Sequence, residues 1–476
     1  MLRCCRWYLV VGFGLGVAAT GLIFFLAWRD IFDTLVSEEK ALVPGTAFYK
    51  EWRRPTVRPV WCVYMFNWTN APAYLSDPRA STATFQEVGP FTYEELSEMV
   101  DVKVFHGNGT VGYRRRTAFR RRQATTAAAA TEPNITTVNF AAVGAAFAIR
   151  HLDYGAQREL SFLLHNLRQH VTVARPVDQL LFTGYQPDPL LARWRELFCR
   201  PPNVNAVLCQ PERLAYFRTL NSTRKASPLY YYLNVGLRDR QSYGEVSLEA
   251  PDAGGFTGDL FPSRIDRTKP LALALIDFCQ RLSLEYDGET VIGGIVGYRF
   301  VSTGPDSGQP TWRHNGSEAS SYGMVNSYEC TGLPLFGVAA NRSASEIVLE
   351  PITGTVLKSS ISQQFGTVLR PNVHIALFQD VPEVNVPLFR FTRYYQLPEA
   401  STRRLKRLLH LLEVGHQAAI SGCCLGVLLV ALAVIYTLCK GRCKQPQKQQ
   451  SQAIRKSNSD YTIIGTQLSN TATGGC

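Results

Sequence analysis

Two stretches of this chain, Trp7 to Trp28 and Gln417 to Cys439, contain no charged residue, each for about the ~20 residues a helix needs to cross a bilayer. They lie near opposite ends, so the segment between them, 29–416, is expected to fold outside the hydrocarbon with both of its ends tethered. The first stretch has an alternative reading as a cleaved signal peptide, since Arg3 and Arg6 precede it and Ala18-Ala19-Thr20 supplies small residues. Its apolar run continues through Leu22 to Leu26 and closes on Trp28, which favours an uncleaved anchor with an interfacial tryptophan. Within it, Gly12 and Gly16 form a GxxxG pair that predicts close approach of another helix.

Basic flanks orient the spans. Arg3 and Arg6 before the first, and Lys440, Arg442 and Lys444 after the second, predict that both termini are cytosolic, whereas Arg403, Arg404, Lys406 and Arg407 argue the other way. Glycosylation sequons decide between them, because they begin at Asn67, Asn108, Asn134, Asn221, Asn315 and Asn341, all inside 29–416 and none in a tail. The expected organisation is a tail at 1–6, spans at 7–28 and 417–439, a glycosylated ectodomain at 29–416 and a tail at 440–476.

Cysteine usage agrees with this topology. Cys199, Cys209, Cys279 and Cys330 would meet an oxidising compartment and can form disulfides, while Cys4, Cys5, Cys439 and Cys443 sit at the cytosolic membrane edge, where palmitoylation is expected. Cys62 is left over as a free thiol. The C-terminal tail carries Tyr461-Thr-Ile-Ile464, which fits the pattern that a clathrin adaptor binds in extended form, and the polar tail is expected to be disordered and accessible.

The formal charge of +12 would suit nucleic acid, but paired membrane spans and luminal sequons demote that partner in favour of a membrane. Six of the basic residues, Arg114, Arg115, Arg116, Arg120, Arg121 and Arg122, cluster in a region read as a solvated loop, with collection of anionic ligands as the functional alternative. Walker A, HExxH, GxSxG and CxxC patterns are all missing, and the histidines lack metal-ligand spacing, so the expectation is no enzyme, no cofactor and no metal.

Between the spans strand signals dominate: Val57 to Phe66, Thr290 to Val301, Ser345 to Ile352 and Val373 to Phe378 are rich in β-branched and aromatic residues. Helical spacing appears at Leu160, Leu163, Leu164, Leu167 and Val171. Asp188-Pro189 before Leu190 to Phe198, and Lys269-Pro270 before Leu271 to Leu284, predict two further helices. The fold class is therefore α+β: a mainly antiparallel sheet with a helical cluster, flanked by N- and C-terminal transmembrane helices.

Several segments, in order, resemble class B scavenger receptors: Tyr64-Met-Phe-Asn-Trp-Thr-Asn70, Glu87-Val-Gly-Pro-Phe-Thr-Tyr-Glu-Glu-Leu96, Val138-Asn-Phe-Ala-Ala-Val143 and Gly184-Tyr-Gln-Pro-Asp-Pro-Leu190. Asp277-Phe-Cys-Gln-Arg-Leu282, Tyr298-Arg-Phe-Val301 and Glu350-Pro-Ile-Thr-Gly354 complete the set, and the likeness runs nearly end to end. It implies an antiparallel β-barrel-like ectodomain capped by an apical helical bundle, about 138–200, with an apolar tunnel leading toward the membrane. It further implies binding of lipids, fatty acids, sterols or lipoproteins at the plasma membrane. The alternative is an endosome or lysosome receptor that traffics a luminal hydrolase or exports sterol. Association of copies of the chain is left open. By position Cys279 and Cys330 match a family disulfide, and Cys199 with Cys209 would close a short loop in an added segment. Family members that bind fatty acids carry a lysine near the position of His165 and Arg168, which makes these two the expected ligand-binding residues, the alternative being the solvated stripe of an amphipathic helix.

Overall fold

The computed structural model describes residues 2–122, 133–186, 188–190, 231–234, 245–248, 255–275, 280–302, 325–326, 335–338 and 345–467. In chain order the elements begin with α1 (Leu2–Glu39), α2 (Ala47–Arg53), β1 (Val60–Trp68), α3 (Ala71–Ser76), β2 (Phe85–Phe105), β3 (Thr110–Arg121), β4 (Asn134–Val138), α4 (Phe140–Ala148), α5 (Tyr154–Asn166) and β5 (Thr172–Pro176). Short strands follow: β6 (Tyr231–Asn234), β7 (Glu245–Leu248), β8 (Gly255–Phe256) and β9 (Leu271–Leu275). The chain continues through β10 (Gln280–Ile292), β11 (Ile295–Val301), β12 (Val325–Asn326), β13 (Phe336–Val338), β14 (Glu346–Leu349), β15 (Val356–Leu369), β16 (Val384–Gln396) and α6 (Glu399–Gln467). Two compact units result, one at Val36–Arg403 and one formed by the chain up to Leu35 with the chain from Arg404 onward.

In the helical unit α1 and α6 run antiparallel, and both are long and apolar enough to cross a membrane. Small residues set their approach. A Cβ on Gly426 would lie 2.4 Å from the Ala18 nitrogen, and one on Gly21 would lie 2.7 Å from the Cys423 nitrogen. Toward the other end Trp28 packs over Gly415, and its Nε1 donates to the Leu412 carbonyl at 3.0 Å. The GxxxG pair is not the contact: a Cβ on Gly12 or Gly16 would meet nothing within 4 Å, and Gly14 and Gly21 face α6 instead. Seven residues make nearly two whole helical turns, so Gly14 and Gly21 share a face that Gly12 and Gly16 do not. Phe13, Ile23, Leu26, Leu425 and Leu438 point outward and are exposed, a surface suited to hydrocarbon rather than water.

In the larger unit fourteen of the described strands form one sheet, in the order β12-β13-β15-β14-β11-β10-β9-β8-β7-β6-β3-β2-β1-β16, and β15 pairs with β16 as well. The β8–β9 pairing is parallel and the others are antiparallel. A separate hairpin-like pair, β4 with β5, carries α4 and α5 between its strands. Asn139 caps α4, accepting from the Ala141 and Ala142 N–H groups, while its Nδ2 donates to the His170 carbonyl. Leu160 and Leu164 of α5 are buried as the spacing predicts, but the helix ends at Asn166, so Leu167 and Val171 lie beyond it.

The structure departs from the sequence reading in several places. Leu271–Leu275 and Gln280 to Leu284 are strand, not helix: Leu271 and Leu273 on β9 and Leu284 on β10 alternate into the core, and the pairing of the two strands overrides a proline-led helix signal. Val373 to Phe378 is not a strand. It holds a 3₁₀ turn at Ala376–Phe378, because the Ala376 N–H donates to Ser161 Oγ and the Asn372 N–H to the Phe378 carbonyl, so neither is free for a ladder. Thr290 to Val301 is two strands folded at Gly293-Gly294, both with positive φ. The arginine-rich region is strand β3 as far as Arg121 rather than a loop. The tail is helical as far as Gln467, so Tyr461 and Ile464 lie in helix and not in extended chain. Leu191 to Phe198, the body of the other expected helix, lies outside the described residues.

Candidate functional site

The alternation of side chains along β1, β2, β3 and β16 assigns each residue to one of two faces. Trp61 stands opposite Arg393 and Tyr93, and Glu95, Ser97 and Met99 continue the same face of β2 opposite Phe119, Thr117 and Arg115. On the other face Glu94 stands opposite Arg120, and Glu98 opposite Arg116. The arginine run is thus split. Its even-numbered members form cross-strand ion pairs on the outer face, Arg120 and Arg122 with Glu94, Arg116 with Glu98, and Arg114 with Asp101, while Arg115 turns inward.

The inward face borders two cavities. The larger, of about 250 Å³, is lined by Trp52, Met99, Leu260, Val356 and Leu397 with Lys40, Glu95, Asp259, Arg393 and Tyr395. Lys40 is the residue after α1, and Ser401, also on its wall, lies in the first turn of α6, so this cavity occupies the end of the unit where the chain enters and leaves it. The smaller, of about 70 Å³, is lined by Trp61, Phe119, Leu273, Ile361 and Phe391. The walls draw on three separate apolar clusters, one containing Trp61 and Phe391, one Trp52 and Met99, and one Leu273 and Ile361. Both cavities share Glu95, Arg115, Gly258, Ser359 and Arg393.

Glu95 is the best-held charge of this interior. It is 4% exposed, and its carboxylate accepts from Trp61 Nε1 at 2.7 Å, Ser97 Oγ at 2.7 Å and Arg393 Nε at 2.8 Å. Burial alone would push its carboxyl up, but the Arg393 guanidinium outweighs that and the pKa is pulled down to about 2. Burial disfavours the Arg393 cation, yet the Glu95 and Asp259 carboxylates raise its pKa. Tyr395 is pushed up to about 12, by burial first and by Asp259 second.

Lys40 is pushed down to about 8 by burial, with Glu350 opposing. Its Nζ donates to the carbonyls of Phe261 and Thr353. The Glu350-Pro-Ile-Thr-Gly354 segment is the turn that presents Thr353: Glu350 accepts from the Ile352 and Thr353 N–H groups, and Gly354 has φ +66 where a Cβ would strike the Pro262 carbonyl at 1.9 Å.

The residues expected from sequence fall elsewhere. His165 is exposed in the last turn of α5, and Arg168 follows the helix in a left-handed conformation, φ +48, so it is not on the helix face. The Gln169 N–H donates to the Leu164 carbonyl and the Arg168 N–H to His165, the closure usually served by glycine. Neither side chain is on the wall of the two cavities. Asn108 and Asn134 are exposed, while Asn67 is half-buried with Oδ1 accepting from the Thr136 N–H at 2.8 Å. Asn221, Asn315, Asn341 and the cysteines at 199, 209, 279 and 330 lie outside the described residues. Cys62 is a half-buried free thiol on β1, Cys4 and Cys5 lie in α1, and Cys439 and Cys443 lie in α6.

Sequence reasoning passed over Glu95, Arg393, Asp259 and Lys40. Period two along β2 singles out the Glu95 face, but its partner is 298 positions away.

A family model for the CD36 family matches residues 10–339 and 337–437. The chain belongs to the CD36 family. It is 23% identical over 425 residues to Protein peste of Drosophila melanogaster, covering 81% of this chain and 74% of that one. To Sensory neuron membrane protein 1 of Mamestra brassicae it is 21% identical, covering 83% of each chain, and to that of Bombyx mori 21% identical, covering 83% and 84%. The likeness to class B scavenger receptors is thereby borne out, and CD36 family membership makes this a receptor-type membrane protein with a large domain between two apolar terminal helices.

Proposed function

We propose that this CD36 family member is a cell-surface receptor that binds lipids or lipoproteins and passes single lipid molecules through the interior of its ectodomain to the membrane. The observation that carries the reading is the pair of apolar-walled cavities inside the sheet, the larger at the end of the unit joined to the spans. The order of strand pairing returns on itself through β15 and β16, which supports a barrel-like enclosure around them. Burying each methylene of an acyl chain is worth about 0.8 kcal/mol, so a covered route spares a lipid the cost of crossing water. The larger cavity exceeds the ~150 Å³ of an apolar cavity that accepts benzene, enough for a segment of chain.

Both termini are cytosolic on this reading, with glycans between the spans, the luminal cysteines paired and the juxtamembrane cysteines acylated. Adaptor binding at Tyr461 and Ile464 requires that part of α6 to unwind. His165 and Arg168, exposed at the end of α5, receive anionic headgroups. Uptake of a fluorescent long-chain fatty acid by cells bearing the full chain, with mass spectrometry of lipid retained by the purified protein, tests the proposal. Uptake equal to that of mock cells and a lipid-free protein would refute it, and unchanged uptake by Arg168→Glu would remove Arg168 from the entrance.

A further inference from the structure

The two cavities share one charged cluster in their walls. Glu95, Arg393, Arg115, Gly258 and Ser359 belong to the walls of both, and the Glu95–Arg393 pair joins β2 to β16 across β1. One guanidinium nitrogen of Arg393 stands between two carboxylates, 3.4 Å from Glu95 Oε1 and 3.7 Å from Asp259 Oδ1. Asp259 belongs to the turn after β8 and is the more exposed of the two acids, its side chain 38% accessible against 4% for Glu95. Gly258 beside it has φ +87, and the space a Cβ would fill there is empty to 4 Å, so the turn has room to move.

We infer that Glu95 and Arg393 form a gate between two chambers of the lipid path, opened when the Arg393 guanidinium passes from Glu95 to Asp259. The inference rests on reading the interior as a lipid path and adds to it the element that regulates passage. Transfer keeps both charges partnered, which a buried pair requires. Arg393 gains a full bond to Asp259, and Glu95 keeps the Trp61 N–H and the Ser97 hydroxyl as donors, with the Arg115 charge acting on it. Simple breakage would strand a buried cation, whereas the second carboxylate makes the exchange an isomerisation between two satisfied states. The smaller chamber, at about 70 Å³, has less than half the volume of a ~150 Å³ benzene-accepting cavity, so a single extended acyl chain is the ligand class that suits the route.

The test uses cells expressing the full chain at matched surface levels and a fluorescent long-chain fatty acid. Asp259→Asn removes the receiving charge and lowers uptake about tenfold, the weight of one charge-assisted hydrogen bond. Asp259→Glu restores it. In a Glu95→Leu/Arg393→Met background, where no cation needs a second partner, uptake is at least that of the wild type and adding Asp259→Asn changes nothing. Wild-type uptake by Asp259→Asn, or an equal loss from it in both backgrounds, overturns the gate and leaves the lipid path standing. Uptake by the wild type no greater than by mock cells overturns both.

Discussion

Glu94 and Glu95 are neighbours on one strand, carry the same side chain and have their pKa values pulled down by arginines to about the same point, about 2, but against very different burial. Glu94 lies on the outer face, where hydrogen bonds from Arg120 and Arg122 favour its anion and solvent would replace them at little cost. Glu95 lies on the inner face, where burial opposes the charge and the Arg393 pair, the Arg115 charge and neutral donors together sustain it. The inner pair therefore needs a substitute for any partner it gives up, while the outer network tolerates loss. Helix α1 repeats the contrast, with Gly14 and Gly21 closed against α6 and Gly12 and Gly16 open.

The largest expected effect comes from truncating the inner carboxylate alone. Glu95→Ala leaves Arg393 only the more exposed Asp259 carboxylate and is expected to cost about 1.5–3 kcal/mol in unfolding of the full chain in detergent, whereas Glu95→Leu with Arg393→Met is expected to be neutral or stabilising. A milder loss from the single change than from the double would break the contrast. Its pH signature follows from the same pair. Because the folded pKa lies below the unfolded value of 4.5, the contribution of Glu95 is fully present above about pH 4.5 and is lost as pH falls toward about 2. The difference in melting temperature between wild type and the double variant is thus expected to stay constant at neutral and endosomal pH and to change only in stronger acid.

In the helical unit, Gly426→Leu forces side-chain atoms into the Ala18 backbone and is expected to cost about 1–3 kcal/mol of hairpin stability, read as faster proteolysis in detergent. Gly12→Leu faces open space and is expected to leave the pairing of α1 with α6 intact, so equal damage from both would contradict the assigned faces. Arg168→Gly relieves a left-handed backbone and is expected to raise stability by about 0.5–1 kcal/mol in the same melts. The smallest effect is that of Glu94→Gln, expected to leave the melting temperature within error of wild type even at low salt. A loss like that of Glu95→Ala would show the outer network to be as demanding as the inner one.

Much of this was legible in the sequence because it depends on local pattern. Uncharged runs of membrane-spanning length, the strand that begins at Val60 within Val57 to Phe66, the Leu160 and Leu164 spacing and the ordered family segments each need only neighbours along the chain. Where local signals conflicted, long-range pairing chose. Pro270 favours a helix start, yet the ladder between β9 and β10 made Leu271 onward a strand. Six arginines resembled a loop until Glu94 and Glu98 were placed opposite them.

By itself, then, the sequence determined the class of this protein: an ectodomain between two apolar helices, with the motifs of the CD36 family in order. Only the tertiary structure decided what its interior contains. Glu95 and Arg393 are 298 positions apart, and Asp259 comes from a turn outside either strand, so their meeting depends on strand register across β2, β1 and β16. Register is a collective property: a slip of one residue would turn Glu95 to the solvated face and change the face of every other side chain of its strand with it.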